Sequence, residues 1–584
     1  MPGIFGFTKK DQTASIETVQ KSMMLYPYFK KDDLFEDVSI AASRVHLNKI
    51  GEKNSPIQSN GVFAWIEGET YNHVELASSF GYEESLSFSE CLLFVYHHNL
   101  LDSFLNKLDG YFCAVIYDQN KKQVKLISDR YGMRMLYWYW NKGQFAWASE
   151  VKAILSLDNI DQTIDSTSFE CFMDLGYLLG EHTWFEHIKL VKPATVITLD
   201  LQKNTVSQYH YWTWAEIKPS SISFDDAVNE LGKRFIKAVE RRFDPKEKIG
   251  ITLSGGLDSR VIFAAVEHLY PDYKGSAFTF GIDGCDDITI AKTVVSKSHW
   301  NHKEYHFTNK NWFKPRLEKV WNTDGMKDMM HMHGGEFIDD IASNVDINLN
   351  GYLGDAIFGG SYFKNDNYLN RKINKNIVES YYHNTKDESF DSDFYNINHI
   401  DPYLFMSRGR RLINMGTVNS LIALEQRKPF FDNDCVELIY SLPDEYRLNN
   451  KLYASMLQKF FPKFFKDIPW QQTGKPAGLT ITPNITIRAY NKVIRELKTI
   501  MGIKTTQVYT DYRSWIRSSS VAEYIDNLLN CDTAEYKKLT NENLSEKYLK
   551  PHLDSNFINK SDKILRAVTV EIYLRQVKGR DLLN

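Results

Sequence analysis

The chain of 584 residues lacks the features that mark several large classes of protein. Its six cysteines (Cys91, Cys113, Cys171, Cys285, Cys435 and Cys531) include no CxxC pair, which argues against a structural zinc site or a disulfide framework and fits a reducing compartment. No run of about 18 apolar residues occurs, so no membrane-spanning helix is expected. The opening stretch, residues 1–11, is too short in its apolar part for a secretory signal, and the expectation is an unanchored cytoplasmic protein. Net charge is −4, which gives no broad basic field to hold nucleic acid; small patches such as Lys233-Arg234 and Arg241-Arg242 fall on an expected helix. What remains is an ordinary globular composition, 43% apolar and 25% charged, over a length that implies two to four domains at about 100–200 residues each.

The stretch with the clearest chemistry is Ile249-Gly250-Ile251-Thr252-Leu253-Ser254-Gly255-Gly256-Leu257-Asp258-Ser259-Arg260. A β-branched run stops at Ser-Gly-Gly and turns helical, so glycines can bring backbone N–H groups against an oxyanion at a helix N-terminus, with Asp258 able to hold a cation. Around it, strand-like and helical runs alternate: 248–253, the helix from Ser259, 275–281, a helix near 287–298, and 345–350. This pattern predicts a parallel sheet with its site at the strand carboxyl ends. A second Gly-rich turn, Asn350-Gly351-Tyr352-Leu353-Gly354-Asp355-Ala356-Ile357-Phe358-Gly359-Gly360, follows the last of these runs.

Upstream, the chain reads as short strands and turns with a few helices. Strands are expected at 61–68, 112–118 and 124–128, and a helix at 89–96. A polar connection at 218–221 precedes Ser223, whose spacing to Asp226 has the form of a capping box opening a helix with Val228, Leu231, Phe235, Ile236 and Val239 on one face. The expected domains are therefore 1–212, a linker at 213–222, and 223–584.

Five ordered segments, at 1–6, 68–73, 108–112, 128–137 and 145–154, resemble the glutaminase domain of the asparagine synthetase family. The resemblance implies an Ntn-hydrolase-like αββα sandwich over 1–212, followed by an α/β PP-loop synthetase domain. Three departures matter. The family's nucleophilic cysteine is Pro2 here, which has no thiol. The asparagine of its oxyanion turn is Glu67, whose charge opposes a developing oxyanion. Phe88 stands where the family carries an aspartate for the glutamine amine. This half is expected to be a scaffold that releases no ammonia; Arg44, matching a glutamine-carboxylate arginine, is given little weight because an isolated arginine is usually a surface residue.

In the second half, the 350–360 turn resembles the family's second signature, and Leu424-Glu425-Gln426-Arg427-Lys428-Pro429-Phe430-Phe431-Asp432 its Glu-x-Arg-x-Pro-Phe-x-Asp run. By that resemblance Leu253, Ser254, Gly255, Gly256, Asp258, Ser259, Phe280, Gly351 and Lys475 would bind ATP and its pyrophosphate. Asp258 and Asp355 would hold Mg²⁺, as hard oxygen ligands suit that ion, and Tyr352 and Lys475 would be catalytic. Tyr352 departs from the glutamate of asparagine synthetases and resembles β-lactam synthetase and carbapenam synthetase, although it could also simply line the pocket. Their partner carboxylate falls here in the basic run Ser407-Arg408-Gly409-Arg410-Arg411, which is either an anion site or a solvated helix face. His331-Met332-His333 is read as packing, because no third metal ligand stands near it. A helical, charged tail from about Tyr490 to Asn584 is expected to cover the sheet.

The expectation is an ATP- and Mg²⁺-dependent ligase that adenylates a carboxylate, releases pyrophosphate and joins the acyl group to an amine without glutaminase activity. Its substrate would be a small molecule or peptide carrying carboxylate and amine, with intramolecular closure as in β-lactam synthetase or lasso-peptide cyclases left open, as is a homodimer. The alternatives are amidation of an amino acid or sugar acid with free ammonia, and a catalytically silent nucleotide-binding homologue. Nucleic acid and membrane are not expected partners.

Overall fold

A computed structural model describes residues 2–10, 12–51, 54–82, 87–363, 368–382, 387, 389–478, 508–530 and 532–579. Cys531 and the 490–507 and 580–584 parts of the expected helical tail lie outside these residues. The chain forms two compact units. The first comprises Met1–Lys218, Asn322–Met326 and Arg371–Glu425; the second comprises Pro219–Trp321, Lys327–Asn370 and Gln426–Asn584. The segments 322–326 and 371–425, which sequence pattern assigns to the second domain, thus pack with the first unit. Helical periodicity tells which face of a segment is apolar but not which neighbour covers it.

The first unit is built on a seven-stranded and a six-stranded sheet, both antiparallel. Its core residues fall at every second position: Ile40 and Ala42, Phe63 and Trp65, Cys113, Val115 and Tyr117, Val124 and Leu126, Phe145 and Trp147, Ile197 and Leu199. Alternate residues of a strand point to one face, so these sets line the inner faces of two sheets that share one core. Helices Ile16–Met23 and Phe88–His97 pack on the two sheets, which completes the αββα order.

The second unit holds a five-stranded sheet in the order 301–306, 276–281, 249–252, 347–349, 425–427, with parallel pairing from 301–306 through 347–349. Chain order runs outward in one direction from Ile249–Thr252 and then jumps to its other side. The switch point lies between the carboxyl ends of Ile249–Thr252 and Ile347–Leu349, where open α/β sheets place their ligand crevice. Two strands were not expected. Asn301–His306 is a polar edge strand in which only Tyr305 is buried, and Glu425–Arg427 is three residues long.

Helix Phe224–Glu240 begins with the N-cap half of the expected box: the Ser223 hydroxyl accepts the Asp226 N–H at 3.2 Å and donates to the Asp226 carboxylate at 2.7 Å, and Val228, Leu231, Phe235 and Val239 are buried. At its other end Arg241 and Arg242 do not form a surface patch. Both guanidiniums meet the fully buried Asp432 carboxylate, at 3.2 and 2.7 Å, and hold it below the ordinary carboxylate range against the opposing effect of burial. Among the described residues no helix is long and apolar enough to cross a membrane, and Cys91, Cys113, Cys171, Cys285 and Cys435 are buried free thiols.

Candidate active site

The loop after Ile249–Thr252 and the turn after Ile347–Leu349 meet at the switch point. A Cβ on Gly351 would stand 2.6 Å from the Ser259 nitrogen, and one on Gly354 would stand 2.6 Å from the Asp258 side chain. Only glycine allows that approach. Between them Leu353 takes φ 59°, a left-handed conformation that costs a non-glycine residue about 1–3 kcal/mol and is found mainly where a site imposes it.

This packing brings Asp258 and Asp355 together. The Asp355 N–H donates to Asp258 Oδ2 at 3.0 Å, and the buried Tyr453 hydroxyl donates to Asp258 Oδ1 at 3.1 Å. Burial and then the charge of Asp355 push the Asp258 carboxyl well above the ordinary range. Two adjacent carboxylates in a half-buried crevice, one of which raises the proton affinity of the other, form a donor set that a hard divalent cation satisfies. The phenol of Tyr453 is itself driven up by burial and by Asp258, so it stays a hydrogen-bond donor.

Three amides of the oxyanion loop are held by side chains of the loop, of the helix that follows it and of Asp287. The Ser254 N–H donates to Ser259 Oγ at 3.1 Å, Gly255 N–H to Asp287 Oδ1 at 2.8 Å, and Gly256 N–H to Ser254 Oγ at 3.2 Å. The Ser254 and Ser259 hydroxyls lie 3.2 Å apart, offering paired O–H groups at the start of helix Asp258–Leu269. Leu253 is buried beneath them, its carbonyl accepting from Thr279 Oγ1 at 2.8 Å. Phe280 is the penultimate residue of the neighbouring strand, its ring about 3.0 Å from where a Gly334 Cβ would lie.

Arg260, at 0% exposure, braces the loop from behind. Its Nη2 donates to the Gly255 and Pro469 carbonyls, both at 2.9 Å, and its Nη1 to the Ile468 carbonyl at 3.2 Å. The same contact is reinforced by Gln471, whose N–H donates to the Gly255 carbonyl at 3.2 Å and whose amide donates to Asp287 Oδ2 at 2.9 Å. From there the chain turns through Trp470–Lys475, closed by the Trp470 N–H to Lys475 carbonyl bond at 2.8 Å, and presents Lys475 exposed. Lys475 is thereby tied to the oxyanion loop through four residues of chain. Tyr352 is buried, its ring 5.4 Å from Phe431 and 5.1 Å from the Lys428 ammonium.

Asp287, Gln471 and Tyr453 were not anticipated. They act on residues 32 to 216 positions away, and no local pattern marks them. The two histidines are held by hydrogen bonds: His331 Nδ1 lies 2.8 Å from Asp328, and His333 lies 3.0 Å from the Tyr509 hydroxyl, with burial and then Arg316 holding its pKa well below the ordinary value.

In the first unit the position read as an oxyanion turn carries a buried ion chain. Glu67 pairs with Arg134, whose other nitrogen is 3.0 Å from Glu425; Glu67 also lies 4.0 Å from Arg44, which is 2.7 Å from Asp32. Glu425 and Glu67 outweigh burial and hold Arg134 firmly charged. Arg44 is 2% exposed rather than a surface residue. Phe88 is buried against Phe112 and Phe104, and Pro2 is buried. The basic run at 407–411 forms part of a π-helical turn, Met406–Ile413; Arg408 is exposed, but Arg410 and Arg411 are buried and cannot form a solvated face.

Comparison with known proteins agrees with both halves. A family model described as a glutamine amidotransferase domain matches residues 1–212, and one described as asparagine synthase matches residues 230–401. A Methanocaldococcus jannaschii protein bearing the name of a glutamine-hydrolyzing asparagine synthetase is 26% identical over 320 residues, covering 54% of this chain and 61% of its own length. Asparagine synthetase 1 of Bacillus subtilis is 22% identical over 530 residues, covering 78% of this chain and 83% of the relative. A Gibberella zeae protein named amidase chry2 is 25% identical over 237 residues, covering 39% and 34%. With an αββα glutaminase-like half and a PP-loop half whose paired glycine turns meet at the switch point, the chain belongs to the asparagine synthetase superfamily.

Proposed function

We propose that the protein is an ATP-dependent carbon–nitrogen ligase that adenylates a carboxylate, releases pyrophosphate and joins the acyl group to an amine, without releasing ammonia from glutamine. The observation that carries the synthetase half is the Asp258 and Asp355 pair at the switch point, with raised proton affinity at Asp258. Similarity to the glutamine-hydrolyzing synthetases supports amide formation as the reaction class. The first step forms a bond between a substrate carboxylate oxygen and the α-phosphorus of ATP and breaks the bond to the β-phosphate oxygen. An amine then attacks the acyl carbon, AMP leaves with the C–O electron pair, and the nitrogen loses a proton.

In this reading Asp258 and Asp355 would hold Mg²⁺, which when bound screens charge on the pyrophosphate. The Ser254 and Ser259 hydroxyls turn from each other to the phosphates, freeing the Ser254 and Gly256 amides they now accept from. Lys475 brings a compact cation to the leaving group. Phe280 would flank the adenosine. Tyr352 takes the amine proton or orients the amine.

The loss of glutamine hydrolysis is supported by Pro2, by the Glu67–Arg134 ion pair and by Phe88. The substrate would be a small molecule or peptide, with closure within one molecule open. The test is exchange of labelled pyrophosphate into ATP with a broad panel of carboxylates. Carboxylate-dependent exchange is expected; none with any carboxylate refutes the ligase, and glutamate release from glutamine refutes the second half.

A further inference from the structure

The buried arginines at 410 and 411 are used by nothing in the ligase reading. Arg410 donates to the Gly132 carbonyl at 2.6 Å and to the Val191 carbonyl at 2.5 Å, while Arg411 donates to the His182 carbonyl at 2.5 Å. Arg411 is 3% exposed, and its Nη1 has no hydrogen-bond partner among the described residues. Both side chains line one pocket of the first unit together with Lys192, His210, Asp387 and Asp391.

We propose that this pocket binds a small anion, a carboxylate or a phosphate group, on the Arg410 and Arg411 guanidiniums.

The charge balance of the wall decides the sign of the ligand. Its carboxylates are already engaged. Asp387 accepts from the Tyr403 hydroxyl at 2.7 Å and from Ser389 N and Oγ at 2.9 and 2.5 Å. Asp391 accepts from His210 at 3.2 Å and from the amides of Asp393 and Phe394 at 3.1 and 3.0 Å. Glu181 lies 3.9 Å from Lys192. The two guanidiniums, by contrast, touch carbonyl oxygens and form no ion pair among the described residues. Burial and mutual repulsion bring Arg410 down to about 10, and burial also lowers Arg411.

Asp129 acts on Arg410 and Asp387 on Arg411 from beyond ion-pair distance, but two adjacent buried cations that form no ion pair remain costly, and water in the pocket would solvate them without neutralising them. An anion does both, and charge-assisted bonds to guanidinium are the strong ones. Size narrows the ligand further. The cavity is about 50 Å³, against about 10–15 Å³ for one water on the same measure. It takes a few waters or one carboxylate or phosphate group, and excludes a nucleotide.

The test titrates the full chain with inorganic phosphate and, separately, acetate, at constant ionic strength with chloride as control, followed by calorimetry. Saturable binding of one of them is expected, unchanged in Ser254→Ala and weakened at least tenfold in Arg411→Met; the anion that binds identifies the class. Binding lost in Ser254→Ala but kept in Arg411→Met assigns it to the oxyanion loop and overturns the proposal, as does no binding of either anion. Should Arg411→Met fail to fold, crystals soaked in selenate or bromoacetate, matched to the anion that binds, supply the second reading. An anomalous peak within hydrogen-bond distance of Arg411 Nη1 is expected, and a peak only elsewhere or none overturns it.

Discussion

Arg260→Met tests whether the arginine behind the oxyanion loop sets the loop's position. Two opposing contributions fix the size of the effect. Burial brings the Arg260 pKa from 12.5 down to about 10, so keeping its proton in the folded state costs about 3 kcal/mol at about 1.4 kcal/mol per unit. Against this stand three bonds from a charged donor to carbonyls of Gly255, Ile468 and Pro469, each contributing about 1.5–3 kcal/mol. The balance favours the arginine by roughly 1–6 kcal/mol, and methionine keeps most of the volume so that a cavity adds little. Because the three acceptors belong to the loop and to the segment leading to Lys475, the loss should fall there first. Pyrophosphate exchange should drop 10- to 100-fold with a raised KM for ATP, and Arg260→Lys should recover part of it by serving fewer of the three carbonyls. A melting curve and exchange rate both at the wild-type level in Arg260→Met would refute the bracing role.

Three further outcomes are expected. Asp258→Asn and Asp355→Asn should each abolish pyrophosphate exchange, and EDTA should do the same to the wild type until Mg²⁺ is restored; full activity in either variant would mean that the cation site is misassigned. Pro2→Cys should yield no glutamate from glutamine, because Glu67 remains paired with Arg134 and Phe88 remains apolar; measurable hydrolysis would show that the thiol alone was missing. His552 makes stability pH-dependent. Its Nδ1 accepts the Lys560 N–H at 3.1 Å while Nε2 faces the Arg513 carbonyl at 3.1 Å, so the fold needs the neutral ring, and burial and then Arg517 lower its pKa from 6.5 to about 4. The unfolded chain binds this proton more tightly, so the contribution is complete above pH 6.5 and about 3 kcal/mol of it is lost as pH falls to 4. Urea unfolding of wild type and His552→Gln across that range should show the difference shrinking with acid, and a constant difference would refute the assignment.

The parts of the fold visible in the sequence are those where one environment runs the length of an element. The 62–70, 110–118 and 123–128 strands stand out as apolar runs because their sheet is covered on one face by the shared core and on the other by helix. The two glycine turns are visible because contact between Gly351 and the Ser259 backbone tolerates no side chain. Asn301–His306 was hidden because an edge strand needs only Tyr305 inside. Buried arginines were hidden for a different reason. Arg44, Arg260 and Arg411 belong to a residue type that is mostly exposed, and what keeps them inside is a carboxylate, a set of carbonyls or a pocket contributed from distant chain. The brace on the loop was hidden likewise, since Asp287 reaches Gly255 from 32 residues on.

The chain of charges from Asp32 through Arg44, Glu67 and Arg134 to Glu425 spreads the support of two buried guanidiniums over three carboxylates. An uncharged residue at Glu67 would leave Arg134 its pair with Glu425 and Arg44 its pair with Asp32, so neither cation would lose its last counter-charge. The cost of about 3–5 kcal/mol that follows when a buried charge is left uncompensated falls on Arg134 only when Glu67 and Glu425 are replaced together. Position 67 is therefore the link an engineer can change first, and Glu425 the one to keep.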